Sequence, residues 1–360
     1  MAAQISHIIA GEKAIARAAG QDGISSLGDA ASFFRLGCQG PDIFYHNRRT
    51  MPSGLHYGAL AHRRGFGSLV AGAAASLPSA EREATSASGA YLLGLATHAA
   101  VDRATHPFII YFSGWALPSD PGSARFRGCH PFLERLLDIG LLAEELGISP
   151  RDYGLSSRLG LDRPVDREAA DAALVALWAA GLRAAYPRAT AADHSLEIRI
   201  ANALADARNF YALTDPGSAA PGDPRGGALA LWLKRLGAEE GRRLISLVYP
   251  ERIPLGLDPM NLAGSEWEHP SGIGLRSRAS YLDLMAKGAA DAARAIARVL
   301  GFWKGELSAQ ALARELGEGG LAFGDASGDA LPPRISRPLA LSEAMDAEYA
   351  AHVDLSAPTG

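Results

Sequence analysis

Histidine and carboxylate side chains recur at four-residue intervals in two short stretches of this chain. His98, Asp102 and His106 form the first series, and His130 and Glu134 form the second. Side chains four residues apart point the same way on an α-helix, because each residue turns the helix by about 100°. Each stretch therefore predicts a helix that presents a column of imidazole and carboxylate groups to one place. These groups are the nitrogen and oxygen ligands that zinc takes.

The histidines are concentrated in the N-terminal third of the chain. An even spread of ten histidines over 360 residues would place fewer than four before residue 131. Seven lie there: His7, His46, His56, His62, His98, His106 and His130. We therefore expect the chemistry of the protein to depend on residues 1–140.

Apolar residues at helical spacing predict an all-α fold, a multi-helix bundle around a metal site. No run of alternating strands with hairpin turns competes with this interpretation. Pro107 is expected to end one of the helices, because proline cannot continue the hydrogen-bond ladder. The predicted helices are His7–Ala19, Leu60–Leu77, Ala90–His106, Pro131–Leu146, Arg167–Ala184, Asp193–Tyr211, Ala228–Val248, Ala279–Phe302 and Ser308–Leu316.

The predicted organisation is one helical domain over residues 1–316 and a loosely packed tail over 317–360. The metal ligands would lie in residues 1–140, and the role of the helical second half is left open. The tail is rich in Gly, Pro, Asp and Ser, with one short helix expected near Leu341–Ala351.

Composition excludes several classes of protein. The formal net charge of −4 provides no basic field for a stable nucleic-acid complex. Two cysteines are too few for a disulfide framework. We find no signal peptide and no apolar run of the roughly 20 residues that a transmembrane helix needs, so a soluble, cytoplasmic protein is expected.

The order of the candidate ligands resembles that of the bacterial zinc-dependent phospholipase C superfamily, whose relatives include zinc single-strand nucleases. The resemblance covers roughly residues 5–140. Thirteen residues separate Asp42 from His56, which is similar to the gap between an aspartate and a histidine ligand in that family. The full set is His7, Asp42 after Gly40-Pro41, His56, His98, Asp102, His106, His130 and Glu134.

The resemblance implies an all-helical fold with clustered zinc. It would place Asp42, His56, His98 and Asp102 on one ion. His106, His130 and Glu134 would bind a second ion, and His7 a third, with Asp102 bridging. Secreted members use their mature N-terminal residue as a ligand, whereas six residues precede His7 here. Two or three ions are therefore expected.

Each ligand taken singly also has an ordinary structural interpretation. His98 and Asp102 alone are typical of a hydrogen-bonded pair on a helix surface. His46 competes with His56 for the loop ligand, and spacing favours His56. His62, next to two arginines, is expected to face solvent.

The function expected from these residues is hydrolysis of a phosphoric ester, as in a phosphodiesterase or phospholipase C. Zinc lowers the pKa of a bound water to about 7, and Asp42 would orient that water or accept its proton. The substrate would be a phospholipid head group or a related phosphate ester. Nucleotides or single-stranded nucleic acid are the alternative substrates on the same fold, and a non-catalytic, metal-stabilised helical binding protein is the alternative class. The oligomeric state is not indicated.

Overall fold

In a computed structural model of the chain, the described residues are 3–20, 22–117, 119–162, 167–218, 236, 240–322 and 333–354. These residues are mostly helical, which confirms the fold class at that level. The α-helices are α1 (Gln4–Ala19), α2 (Ala31–Cys38), α3 (Leu55–Arg63), α4 (Phe66–Ser76), α5 (Ala87–Ser113), α6 (Cys129–Leu146), α7 (Pro150–Tyr153), α8 (Leu155–Arg158), α9 (Arg167–Ala185), α10 (Pro187–Thr190), α11 (Leu196–Thr214), α12 (Tyr281–Trp303), α13 (Ala309–Leu316) and α14 (Leu341–Asp354).

Short 3₁₀ helices and one small hairpin complete the described structure. The hairpin pairs β1 (Trp267–Glu268) with β2 (Arg276–Ser277) in antiparallel register. The 3₁₀ helices are Gly23–Ala30, Gly40–His46, Ser79–Glu81, Pro121–Phe126 and Pro216–Ser218. Much of the helix predicted at Ala228–Val248 lies outside the described residues, although residues 240–245 are helical.

Two predicted helix boundaries were wrong. Helix α5 continues through Pro107 to Ser113. Proline there forfeits one hydrogen bond to the carbonyl four residues earlier, but the apolar run Phe108–Phe112 that follows is buried and favours continuation. The predicted helix Leu60–Leu77 is instead two helices, because Gly65 adopts a left-handed conformation with φ of +83° between α3 and α4.

The chain forms two compact units, each built from three stretches of sequence. The first contains Met1–His106, Ser157–Tyr211 and Asp283–Pro332, and the second contains Pro107–Ser156, Ala212–Leu282 and Pro333–Gly360. The predicted division at residue 316 stays a prediction. At that point Arg103 donates hydrogen bonds to the carbonyls of Leu316, Gly317, Gly319 and Gly320.

In the first unit α5 is buried among the N-terminal helices. Tyr91 and Leu95 are fully inaccessible to solvent. A Cβ atom on Gly94 would lie 2.0 Å from the carbonyl oxygen of Phe34 on α2, so only glycine permits this approach. Close packing of α2 against α5 therefore places the middle of α5, with its histidine column, inside the unit.

In the second unit α6 presents Phe132, Leu133 and Leu136 to the core. Trp267 of the hairpin packs edge-on against Phe108, with ring centroids 5.6 Å apart. Of the helices in the described part of the chain, none combines the length and apolarity that crossing a bilayer requires.

Candidate metal centre

Four elements of the first unit bring ligand-type side chains together. Helix α1 contributes one residue, the 3₁₀ helix Gly40–His46 one, α3 one and α5 three. All are buried or nearly so. We call them the His/Asp cluster: His7, Asp42, His62, His98, Asp102 and His106.

The column predicted on α5 is present, and it points inwards. His98 Nε2 lies 3.2 Å from Asp102 Oδ2, and His106 Nδ1 lies 3.3 Å from Asp102 Oδ1. The Asp102 and His98 side chains are 0% exposed. A solvated pair on the helix surface is thereby excluded, because neither group reaches water.

Asp102 is surrounded by imidazoles. Its Oδ1 faces His7 Nε2 at 3.1 Å as well as His106. Its Oδ2 faces His62 Nε2 at 3.8 Å as well as His98. Each carboxylate oxygen therefore has its own pair of ring nitrogens.

Backbone carbonyls orient two of these rings. His98 Nδ1 lies 3.1 Å from the carbonyl oxygen of Cys38, and His62 Nδ1 lies 2.8 Å from that of Gly58. A carbonyl only accepts, so each Nδ1 carries the proton and donates it. The Nε2 atoms then present lone pairs to the cluster, which is the arrangement of metal-binding histidines whose other nitrogen is held by a second partner.

Asp42 enters the cluster from the 3₁₀ helix. Its Oδ1 lies 2.9 Å from His62 Nε2. The close approach to α5 depends on Gly40, whose backbone has a φ of +54°. A Cβ atom at this position would lie 2.3 Å from Cγ of His98. Glycine is therefore required here both for the turn and for contact with α5.

The donor set fits a divalent metal. Ligands about 2.0–2.2 Å from a tetrahedral zinc lie about 3.3–3.6 Å from one another, close to the separations around Asp102. The sets His7, Asp42, His98 and His62, His98, Asp102 each have ligand atoms within 4.8 Å of one another.

Several atoms of the cluster also lack a hydrogen bond. Within the described part of the chain, no hydrogen bond of good geometry reaches either oxygen of Asp102 or the Nε2 atoms of His7, His62 and His98. Buried polar atoms normally have such partners. The ion-pair partners of Asp102 within 4.0 Å among the described residues are all histidines, and Arg103 attracts it from a longer distance. A bound cation would satisfy these atoms together.

The electrostatics of the cluster favour an ionised Asp102 and shift the pKa values of the stacked rings, His7 and His98, in opposite directions. Burial lowers the pKa of His7, and the neighbouring His98 lowers it further. The two rings are stacked, with centroids 4.3 Å apart. Burial alone would raise the pKa of Asp102, but the charges of His106 and His98 hold it well below its ordinary value. For His98, the Asp102 charge outweighs burial and raises the pKa.

His62 belongs to the cluster, so its predicted exposure to solvent was wrong. Its side chain is only 11% exposed. The prediction failed because it rested on the neighbouring Arg63 and Arg64, which are exposed, whereas successive residues of a helix point about 100° apart. Gly58 is buried on α3, and His62 lies four residues after it, on the same face.

His56 and His46 lie outside the His/Asp cluster. His56 is exposed, near the start of α3, with its ring 3.9 Å from that of Tyr57. Burial and the charge of Arg199 lower its pKa. The His46 ring stacks on Phe210 at 4.0 Å. Five residues of α3 separate His56 from His62, and the metal role that spacing gave to His56 stays a prediction outside the cluster.

His130 and Glu134 are in the second unit, at the start of α6. Their Nε2 and Oε1 atoms are 2.9 Å apart. Glu134 is fully buried and His130 is partly exposed. The four-residue spacing thus produces the expected pair, and its sharing of an ion with His106 stays a prediction.

Comparisons of the chain with protein-family models, with curated proteins and with solved structures found no match. The chain is therefore described by its geometry: a mostly helical protein with buried His/Asp groups that can hold metal ions.

Proposed function

We propose that this protein is a zinc-dependent hydrolase of phosphoric esters, with its metal centre in the His/Asp cluster. The observation that carries the proposal is Asp102, whose two oxygens face separate pairs of histidines at 3.1–3.8 Å. A carboxylate in that environment is suited to bridge two ions. Clustered ions are typical of enzymes that cleave phosphate esters.

The residues would divide between the two oxygens of Asp102. His62, His98 and Asp42 would bind an ion on the Oδ2 side, with His62 in the role that spacing assigned to His56. His7 and His106 would bind an ion on the Oδ1 side. His130 and Glu134 are retained as proposed ligands of a further ion.

A purely structural zinc is a weaker explanation of this cluster. Structural zinc is almost always enclosed by four ligands from the protein. The first unit alone gathers six ligand-type residues, and Asp102 contacts four of them. A surplus of ligands around a shared carboxylate favours more than one ion and hence a reactive centre.

The chemistry follows from the arrangement. Bound zinc would lower the pKa of a water and hold phosphate oxygens. Asp42, which is buried and contacts His62, would orient the attacking water or accept its proton. Asp102 would keep its ring partners at fixed separations. The ester would be a phospholipid head group or a related phosphodiester, and nucleotide esters are the competing substrates.

The proposal is tested by hydrolysis of a chromogenic phosphocholine ester and of a chromogenic nucleotide diester, before and after removal and return of zinc. We expect zinc-dependent cleavage of the phosphocholine ester, its loss in Asp102→Asn and its retention in His56→Ala. Preferential cleavage of the nucleotide ester would show that nucleotides, the alternative substrate class, are the substrates. Full activity and full metal content in Asp102→Asn would overturn it.

A further inference from the structure

A carboxylate on α11 binds the segment that joins two ligand-bearing elements. Asp206 is 4% exposed. Its Oδ2 accepts hydrogen bonds from Asn47 Nδ2 at 3.0 Å and from the backbone N–H of Arg49 at 3.0 Å. Thr50 donates two more, from its backbone N–H and its hydroxyl, both at 3.1 Å. Four donors thus converge on one oxygen, and hydrogen bonds to an ionised acceptor are the stronger kind.

Asn47 extends this network to the other end of the segment. Its Oδ1 accepts a hydrogen bond of 2.5 Å from the backbone N–H of Gly54. Its backbone carbonyl accepts one of 2.8 Å from the hydroxyl of Ser53. One side chain therefore ties the beginning of segment 47–54 to its end, and Asp206 holds that side chain.

Helix α11 holds the same segment at two further points. Arg199 Nη1 donates to the carbonyl of Ser53 at 2.6 Å, and Asn202 Nδ2 donates to the carbonyl of Pro52 at 3.1 Å. None of these three α11 residues belongs to the His/Asp cluster. Their shared feature is the segment that they fix.

Segment 47–54 connects the 3₁₀ helix that carries Asp42 to α3, which carries His62. The two elements pack directly on each other, since a Cβ atom on Gly54 or Gly58 would lie within 2.9 Å of Phe44 side-chain atoms. The path of the segment therefore controls the register between the elements. That register places the Asp42 and His62 ligand atoms 2.9 Å apart.

We propose that Asp206 is a positioning residue of the metal centre, acting through Asn47 to hold Asp42 and His62 in binding geometry. The proposal rests on the proposed function only in requiring that zinc is bound. Groups that orient metal ligands typically contribute about 10–100-fold to metal affinity.

The test compares zinc affinity in Asp206→Ala with that in Asp215→Ala. Asp215 is a matched control in the second unit: it is 5% exposed and accepts backbone hydrogen bonds from Ser156 and Gly217. Zinc affinity is measured by chelator competition, at a temperature where circular dichroism shows each variant folded. The absorption spectrum of the cobalt-substituted protein reports the ligand geometry separately from stability.

We expect Asp206→Ala to weaken zinc binding about 10–100-fold and to alter the cobalt spectrum, with little change in Asp215→Ala. Asp206→Asn, which retains an acceptor oxygen, should lose less. If Asp206→Ala does not fold, Asp206→Asn and Thr50→Val provide the test. Zinc affinity unchanged in every folded Asp206 and Thr50 variant, or an equal loss in Asp215→Ala, would refute the positioning role alone. Absence of zinc binding in the unmodified protein would refute the proposed function as well.

Discussion

Asp138 in the second unit and Asp102 in the first are both fully buried carboxylates, but their surroundings differ. Asp138 accepts a 2.8 Å hydrogen bond from the hydroxyl of Tyr249, which in turn accepts one of 2.9 Å from Arg135. The Arg135 guanidinium also lies 3.7 Å from Asp138 and supplies the opposite charge. The permanent positive charge of Arg135 balances Asp138 in this network and also acts on the neighbouring Glu134.

The surroundings of Asp102 are not balanced in this way. Its charged contacts among the described residues are four histidines, whose rings crowd and oppose one another's protonation. A histidine supplies a positive charge only while it is protonated, so the compensation of Asp102 by these rings weakens as the pH rises. The comparison teaches that a buried carboxylate with an arginine partner stabilises a core, whereas one enclosed by imidazoles is suited to bind a cation.

The largest expected effect is on metal binding by Asp102→Asn. Replacing the shared carboxylate should weaken zinc binding by more than about 100-fold, since even groups that only orient ligands contribute 10–100-fold. Tyr249→Phe, in the balanced network, is the control and should bind zinc normally. Chelator competition measures the zinc affinity of both variants. Equal losses of affinity would show that Asp102 matters no more for zinc binding than the Asp138 network does.

Removing the metal should lower the stability of the unmodified protein and show how far that stability depends on the His/Asp cluster. A ligand present at 1,000 times its dissociation constant stabilises a folded protein by about 4 kcal/mol, so a chelator should lower the melting temperature clearly. In chelator at pH 8, Asp102→Asn should be at least as stable as the unmodified protein, because it removes a buried charge that neutral imidazoles do not balance. A strong loss of stability in that variant without metal would argue for an ordinary ion-pair cluster.

Tyr249→Phe should have an intermediate effect that does not depend on metal. The variant leaves Arg135 and Asp138 without the hydroxyl between them, which should reduce the free energy of unfolding by about 1–3 kcal/mol. Urea unfolding with and without chelator measures this loss. A loss that disappears in chelator would mean that the Asp138 network depends on the metal centre.

The smallest expected effect is at Asp206. The buried charge of this carboxylate is compensated in a third way, by hydrogen bonds from uncharged donors. Burial alone would raise its pKa, but the hydrogen bonds from Asn47, Arg49 and Thr50 hold it below its ordinary value. Because the pKa of Asp206 is lower in the folded state than the unfolded value of about 3.9, its ionised carboxylate stabilises the fold when the pH is above that value. This stabilisation is lost as the pH falls through the folded-state pKa. Asp206→Asn should therefore cost more stability at pH 7 than at pH 4. Urea unfolding at both values checks the difference, and a constant difference would contradict it.

The part of the centre on α5 was predictable because its signal is local. Spacings of four residues bring His98, Asp102 and His106 onto one face of any helix that contains them. The spacing left open whether this face points inwards or to solvent, and the burial of His98 and Asp102 in the structure decides it. The continuation of α5 through Pro107 was not predictable from the proline alone, because buried residues on its C-terminal side decide it.

The contribution of α3 required information that the spacing of residues does not contain. The distance in sequence from Asp42 favoured His56, whereas the start of α3 at Leu55 and its glycine-mediated packing on Phe44 bring His62 to the cluster. The hydrogen bonds of Asp206 could not be predicted from local spacing, because they join residues more than 150 positions apart in the chain.

Zinc content per chain, determined by elemental analysis of the purified protein and of His98→Ala, tests the central claim most directly. His98 belongs to both sets of ligand atoms in the first unit and is assigned to the ion that His62 and Asp42 would bind, so its loss should remove at least that ion. We predict two or three zinc ions per chain in the unmodified protein and a clear decrease in His98→Ala, with His56→Ala unchanged. One ion or none in the unmodified protein, with the same content in His98→Ala, would contradict the account.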